Sequence, residues 1–227
     1  MSSKLVGILG GMGPAATADF YSTLVSLTPA ATDQEHLRVV MWADPSVPNR
    51  QDAILRGGTD PSPWLRAGAE KLVAAGAQII VVPCNTVHAF LPPVMADLPV
   101  TFIDIRTATA AALPTGRVAL LATDGALQAE IFAPLETTER EIIKPPPSDQ
   151  ALLMDVVFAL KAGTPVGELA NRFAPVLRRL AARGASTAVV GCTELSVILT
   201  NDDAPLRLVD PAVELARATI AAARSEV

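Results

Sequence analysis

The chain has 227 residues, half of them hydrophobic, with 18 basic and 23 acidic side chains and a formal net charge of −5. A chain this long and apolar can bury a full core, as one large domain or two small ones. Its acidic balance offers no basic footprint for nucleic acid or anionic lipid, and no apolar run reaches the ~18 residues of a membrane helix, so neither partner is expected.

Short β-rich runs alternate with alanine-rich segments of helical period, the pattern of a parallel sheet covered by helices. The first strand, Leu5 to Leu9, runs through GGMGP into a helix from Pro14 to Leu27. The opening MSSKLVGILGGMGP passes from one lysine straight into glycines without a signal-peptide core, so the expected location is cytoplasmic. A strand from Leu37 to Trp42 leads to a Pro- and Gly-rich loop, Asp44 to Pro63, of a length often reserved for function. Next come a helix from Ser62 to Ala75 closed by Gly76, a strand from Gln78 to Val82, a helix from Asn85 to Ala96, a strand from Val100 to Ile103 and a helix from Asp104 to Leu113. The second series has a strand from Arg117 to Leu121, a helix from Gly125 to Pro134, a strand from Thr137 to Ile143 and a helix from Ser148 to Ala162 with Ser148 as its cap. A helix from Val166 to Arg183 closed by Gly184, strands from Thr187 to Val190 and Arg207 to Val209, and a helix from Pro211 to Arg224 behind Asp210 complete it.

Two internal matches organise these elements. Leu72 to Cys84 laid over Leu180 to Cys192, without a gap, matches Leu, Ala, Gly, Ala, Val, Val and Cys. Val6 to Gly13 (VGILGGMG) likewise matches Val118 to Gly125 (VALLATDG), each followed by a phenylalanine at the same offset, Phe20 and Phe132. The chain therefore reads as a duplicated half. Residues 1–115 form an N-terminal α/β half carrying Cys84, and residues 116–227 a C-terminal one carrying Cys192, the last helix being a candidate to pack back on the first half. The fold expected is α/β, two similar parallel-sheet halves related by pseudo-twofold symmetry, with the active site in the cleft between them, because ligands of parallel sheets bind beyond the carboxyl ends of the strands.

The cysteines, 108 positions apart at 84 and 192, are not the dense set of a disulfide framework, and with His36 and His88 they lack the close spacing of a structural zinc site. A lone buried cysteine is usually a small apolar group. Two at equivalent positions of a repeat, each at a strand end and each followed by polar residues (Asn85 and Thr86; Thr193 and Glu194), point to chemistry. One thiolate can remove a proton from a carbon while the opposed thiol delivers one to the other face, which inverts that carbon. Asn85, Thr86, Thr193 and backbone N–H groups at helix starts would stabilise the charge developing on the neighbouring carboxylate.

Gly11 to Ala16 is a degenerate G-x-G-x-x-A, and with Asp44 as a ribose-binding acid it would mark a dinucleotide site. Pro14 removes a donor where the pyrophosphate would sit, and Asp44 lies farther on than usual, so a small carboxylate suits the turn better. Arg50 and Lys161 read either as solvated surface cations or as carboxylate ligands. His88 is either structural or a participant, and Met12 and Trp42 read as packing or pocket lining.

Together GILGGMGPAAT, PCNTVH and GCTEL resemble the aspartate/glutamate racemase family, the pyridoxal-phosphate-independent amino acid racemases, and LVDPAVELA extends the likeness to nearly the whole chain. The resemblance implies two α/β halves with the site between them, no cofactor, an amino acid substrate with a carboxylate, and commonly a homodimer. It implies catalytic roles for Cys84 and Cys192, contacts from Asn85, Thr86 and Thr193 to the substrate carboxylate and amino group, a grip by Arg50 on the distal carboxylate, and a place at the site for Lys161. Met12, Thr123 and Glu194 join these as candidate substrate contacts. Glu194, where glutamate-specific relatives tend to have histidine, favours aspartate, and Ala126 departs from the threonine expected there. Other readings stay open: a decarboxylase or cis–trans isomerase of small dicarboxylates, a dinucleotide-dependent oxidoreductase, or a non-catalytic amino-acid-binding module.

Overall fold

The computed structural model describes residues 3–201 and 204–225. The chain divides into two compact units, one of Met1–Ala108 with Ala212–Val227, the other of Thr109–Pro211.

In the first unit, β1 (Val6–Gly10), β2 (Val39–Ala43), β3 (Ile79–Val81) and β4 (Thr101–Ile103) pair in parallel in the order β2-β1-β3-β4. The two central strands are buried on both faces, which is why they read as unbroken apolar runs rather than alternating ones. Leu9, Ile80 and Val82 face a core shared with Leu65 and Leu72 of α3 (Ser62–Ala74) and Leu91 of α4 (Leu91–Met95). Val6, Ile8, Ile79 and Val81 pack on the other side with Phe20 and Leu24 of α1 (Pro14–Leu27), Ile105 of α5 (Ile105–Ala112), and Leu215 and Ala216 of α10 (Pro211–Arg224).

The second unit repeats the scheme. Strands β5 (Gly116–Leu121), β6 (Arg140–Ile143), β7 (Thr187–Val190) and β8 (Arg207–Val209) pair in parallel in the order β6-β5-β7-β8. Ala119, Leu121, Ala188 and Val190 pack with α7 (Pro147–Lys161), α8 (Val166–Ala182) and α9 (Thr193–Ile198), and Val118, Leu120 and Val189 with the segment after α6 (Asp124–Gln128).

The internal match holds down to register. Val6 pairs with Ile79 and Val118 with Thr187, and these are the residues that the two sequence matches superpose. Each helix before the central strand ends on the same Schellman turn: Gly76 at φ 89° and Gly184 at φ 91°, with Ala77 N–H donating to the Leu72 carbonyl (3.0 Å) and Ala185 N–H to Leu180 (3.2 Å).

All eight predicted strands are present, but several helix expectations need correction. The long loop contains α2 (Arg50–Arg56), capped by Asn49, whose side chain accepts from Gln51 N–H and Asp52 N–H, and closed by Gly57 at φ 65°. The helix expected from Asn85 to Ala96 is a 3-10 turn, Thr86–Ala89, followed by α4, because Pro92 and Pro93 cannot donate to a continuous ladder. The helix expected from Gly125 to Pro134 stops at Gln128; Glu130 is left-handed at φ 49°, and a short 3-10 turn, Ala133–Leu135, follows. The strand expected from Thr137 shortens to Arg140–Ile143, because Thr137 and Arg140 bond to each other across a tight turn. Ser148 does not cap α7, which starts one residue earlier at Pro147. Helix α9 supplies the helix start expected after Cys192, for which the sequence reading gives no range.

Candidate active site

Cys84 lies five residues beyond the paired Ile79, and Cys192 five beyond Thr187. Neither is in a disulfide. In the first unit the chain leaves β3 through a tight turn closed by Cys84 N–H donating to Val82 O at 2.8 Å. His88, 0% exposed and stacked on Phe102, holds that turn through Nδ1, 2.8 Å from the Cys84 carbonyl. A carbonyl only accepts, so Nδ1 carries the proton and Nε2 receives Ile105 N–H at 3.4 Å. Burial pushes the His88 pKa down to about 4, against the opposing pull of the Asp104 carboxylate and the Cys84 carbonyl. His88 is therefore a neutral brace between the cysteine turn and the start of α5. Asn85 is 7% exposed, and its Oδ1 is buried without a hydrogen-bond partner among the described residues. Thr86, half-buried, opens the 3-10 turn.

The glycine turn adjoins these groups. Gly11 has φ 95°, and a Cβ there would come within 2.4 Å of the Asp44 backbone, so only glycine fits. Thr17 ties the turn together, its hydroxyl accepting from Gly11 N–H and donating to Gly13 O, each at 2.9 Å. Thr17 escaped notice as one of several small residues in PAATADF, although a hydroxyl in the first turn after glycines was the available signal. Met12 is buried in the same core cluster that Cys84 packs against. Asp44 closes its own turn, Oδ1 accepting from Ser46 N–H (2.9 Å) and Ser46 Oγ–H (2.6 Å), bonds that hold its carboxyl below the usual range.

Arg50, at the start of α2, donates through Nη2 to Met12 O (3.0 Å) and through Nη1 to Val47 O (3.3 Å) and Pro48 O (3.2 Å). Three bonds leave two of the five guanidinium N–H groups unspent, the number that a bidentate carboxylate uses. No carboxylate pairs with Arg50 among the described residues. Since α2 packs against the 3-10 turn after Cys84, the first unit brings Met12, Arg50, Cys84, Asn85 and Thr86 into one neighbourhood.

In the second unit β5 and β7 end side by side, Gly191 N–H donating to Leu121 O at 2.8 Å, so Thr123 and Cys192 leave adjacent strands. Thr123 is buried and caps α6, accepting from Ala126 N–H at 3.4 Å. Cys192 is 4% exposed and precedes α9. Its Sγ–H donates to Glu194 Oε2 at 3.1 Å, the Thr193 hydroxyl donates to the same oxygen at 3.1 Å, and Lys161 Nζ pairs with Oε1 at 3.0 Å. Burial, and then the adjacent carboxylate, raise the Cys192 thiol well above the ordinary range. Burial alone would raise Glu194 too, but bonds from Cys192 and Lys161 outweigh it and hold the carboxyl below its usual value. Lys161, Cys192, Thr193 and Glu194 thus form one connected set, with Thr123 on the neighbouring strand end.

Two parallel α/β units thus each carry a free cysteine just beyond the end of a central strand, beside polar side chains. Residues 9–219 match the model of the Asp/Glu/Hydantoin racemase family, and the chain belongs to that family. It is an isomerase of the amino acid racemase class. A broad specificity amino-acid racemase from Bacillus subtilis, RacX, is 23% identical over 95% of this chain and 96% of its own length. Among solved structures, the Picrophilus torridus aspartate racemase superposes with a TM-score of 0.86 at 28% identity, covering 99% of this chain and 96% of its own. An aspartate racemase homologue from Pyrococcus horikoshii OT3 has the same fold, with a TM-score of 0.82 at 21% identity over 98% of this chain and all of that one.

Proposed function

We propose that the protein racemises an acidic amino acid, aspartate first, without a cofactor, with Cys84 and Cys192 as the two bases on opposite faces of the α carbon. The observation that carries this reading is the equivalence of the two cysteines, each five residues past a position paired in the same register of its sheet. Inversion needs one proton-transfer group per face of a planar intermediate, and a duplicated half supplies the same group twice. In this reading the two strand ends flank one substrate, and the protein works as a cytoplasmic homodimer.

The polar groups divide the substrate between them. The unspent N–H pair of Arg50 grips the side-chain carboxylate, and the buried Asn85 Oδ1 accepts from the ammonium, a bond that offsets the cost of its present isolation. Thr86 and backbone N–H groups meet the α-carboxylate, where negative charge accumulates as the α proton leaves. The aspartate racemase from P. torridus supports aspartate as substrate, and the broad specificity of the B. subtilis relative makes other amino acids the next to assay.

The test is chiral chromatography of L- and D-aspartate, each incubated with enzyme and no added cofactor, then of a panel of amino acids. Both enantiomers of the substrate should converge on equal amounts. A panel that stays optically pure throughout, or a dicarboxylate that loses CO2 or changes double-bond geometry instead, would contradict the proposal.

A further inference from the structure

The two thiols are mounted differently. Four residues after Cys192 stands Ser196, and its backbone N–H, with that of Leu195, donates to the Cys192 carbonyl at 3.3 and 3.0 Å as α9 begins. The Ser196 hydroxyl takes no part, its oxygen being buried without a hydrogen-bond partner among the described residues. The equivalent position after Cys84 is His88. There the chain winds as a 3-10 turn, and the His88 backbone N–H goes to Asn85 O at 3.1 Å. The imidazole N–H takes the Cys84 carbonyl in its place, at 2.8 Å. A side chain thus does in the first unit what a helix backbone does in the second.

The consequence is the direction of a sulfur. Cys84 N–H is tied to Val82 O at 2.8 Å and its carbonyl to His88 Nδ1, so both rigid peptide planes that meet at its Cα are held. The Cα–Cβ bond that aims the thiol is held with them. His88 can serve as the anchor because it is itself immobile: it is wholly buried, stacks on Phe102 with ring centroids 5.9 Å apart, and receives Ile105 N–H on its other nitrogen.

We propose that His88 is the positioning residue of the Cys84 thiol, fixing by a side-chain hydrogen bond the point from which that thiol exchanges a proton with the α carbon. His88 transfers no proton itself in this role and acts through Cys84. The catalytic part of the inference rests on the two-thiol reading proposed above; the placement of Cys84 does not.

Two substitutions separate the bond to Cys84 from the bond to α5. An asparagine amide can put an N–H where Nδ1 stands, and a glutamine amide an oxygen where Nε2 stands. His88→Asn therefore keeps the donor to Cys84 O, and His88→Gln keeps the acceptor for Ile105 N–H. Each leaves one buried backbone group without its partner, so a merely structural role lowers activity alike in both. Positioning predicts a kcat for aspartate within about threefold of wild type in His88→Asn and at least about tenfold lower in His88→Gln, with KM within a few-fold in both, because a slightly misplaced reacting group costs about 10- to 100-fold. Equal losses in the two variants, or a rise in KM with kcat preserved, would overturn the role.

Placement is also read without catalysis. Cys192→Ala leaves Cys84 as the sole thiol, and Cys84→Ala leaves Cys192. With iodoacetamide at a fixed pH of about 8.5, His88→Gln should speed alkylation of Cys84 by at least about threefold and His88→Asn should leave it near the parent rate, because a released carbonyl lets the turn open and uncover the half-buried sulfur. Alkylation of Cys192 should be the same with and without either substitution. Equal effects of the two on Cys84, or a matching change at Cys192, would overturn the placement. Failure of the wild-type protein to racemise any amino acid would overturn the two-thiol reading instead, with the alkylation rates still deciding whether His88 sets the position of Cys84.

Discussion

At the scale of single residues, the two thiols and Arg50 have separable effects. Cys84→Ala and Cys192→Ala should each reduce racemisation by at least about a thousandfold, since a lost acid or base costs about 10²–10⁴ and a bulk water is poorly placed to replace it; chiral chromatography reads this, and near-normal rates in either variant would contradict a two-base site. Arg50→Lys should raise KM for aspartate about 10- to 100-fold while changing kcat less, because an ammonium cannot offer the fork that two unspent guanidinium N–H groups provide. His88 makes a prediction about stability. Its folded-state pKa of about 4 lies below the ordinary 6.5, so the unfolded chain takes up the proton first as pH falls. The stabilising effect of a neutral His88 is present above pH 6.5 and is lost between 6.5 and 4, a total of about 3 kcal/mol. Urea unfolding of the wild type and of His88→Asn at pH 7.5 and 4.5 checks this, and the variant should show the flatter pH dependence. At this scale the sequence named the candidate residues but not their contacts. The motif reading named Glu194 and Lys161 as candidates, whereas their pairing depends on α7 lying beside α9, a tertiary fact that no local pattern encodes.

At the scale of elements, the strands were the most legible part, because a strand buried on both faces announces itself as a short apolar run between helical segments. The Schellman glycines Gly76 and Gly184 were legible for a similar reason, a fixed local geometry with a single favoured residue. What escaped was short and capped. Helix α2 hides in a Pro- and Gly-rich stretch, although Asn49 before it and Gly57 after it were the signals at hand. Asn49→Ala should lower stability by about 1 kcal/mol through loss of that cap, and it should also loosen Arg50 and raise KM for aspartate. Thr17→Val should cost more, about 1–3 kcal/mol, because it leaves Gly11 N–H buried without its acceptor; thermal or denaturant unfolding distinguishes the two.

At the scale of the whole molecule, duplication explains the fold and is the basis of the proposed chemistry. Two sheets of the same strand order, with the same pairing register and the same helix endings, carry a cysteine at the same point. The repeat was visible in sequence because it is densest where packing is tightest, from the last turn of a helix through a buried strand to the thiol. It decays in the edge strands and surface helices, where many sequences satisfy the same burial. The claim that two thiols serve opposite faces of one carbon is tested most directly by the early isotopic course of the reaction in deuterated water. Starting from a single enantiomer of aspartate, the account predicts that the first product formed carries deuterium at the α carbon while the unreacted substrate remains protiated. Deuterium entering substrate and product together from the outset would mean that one group serves both faces, and would contradict it.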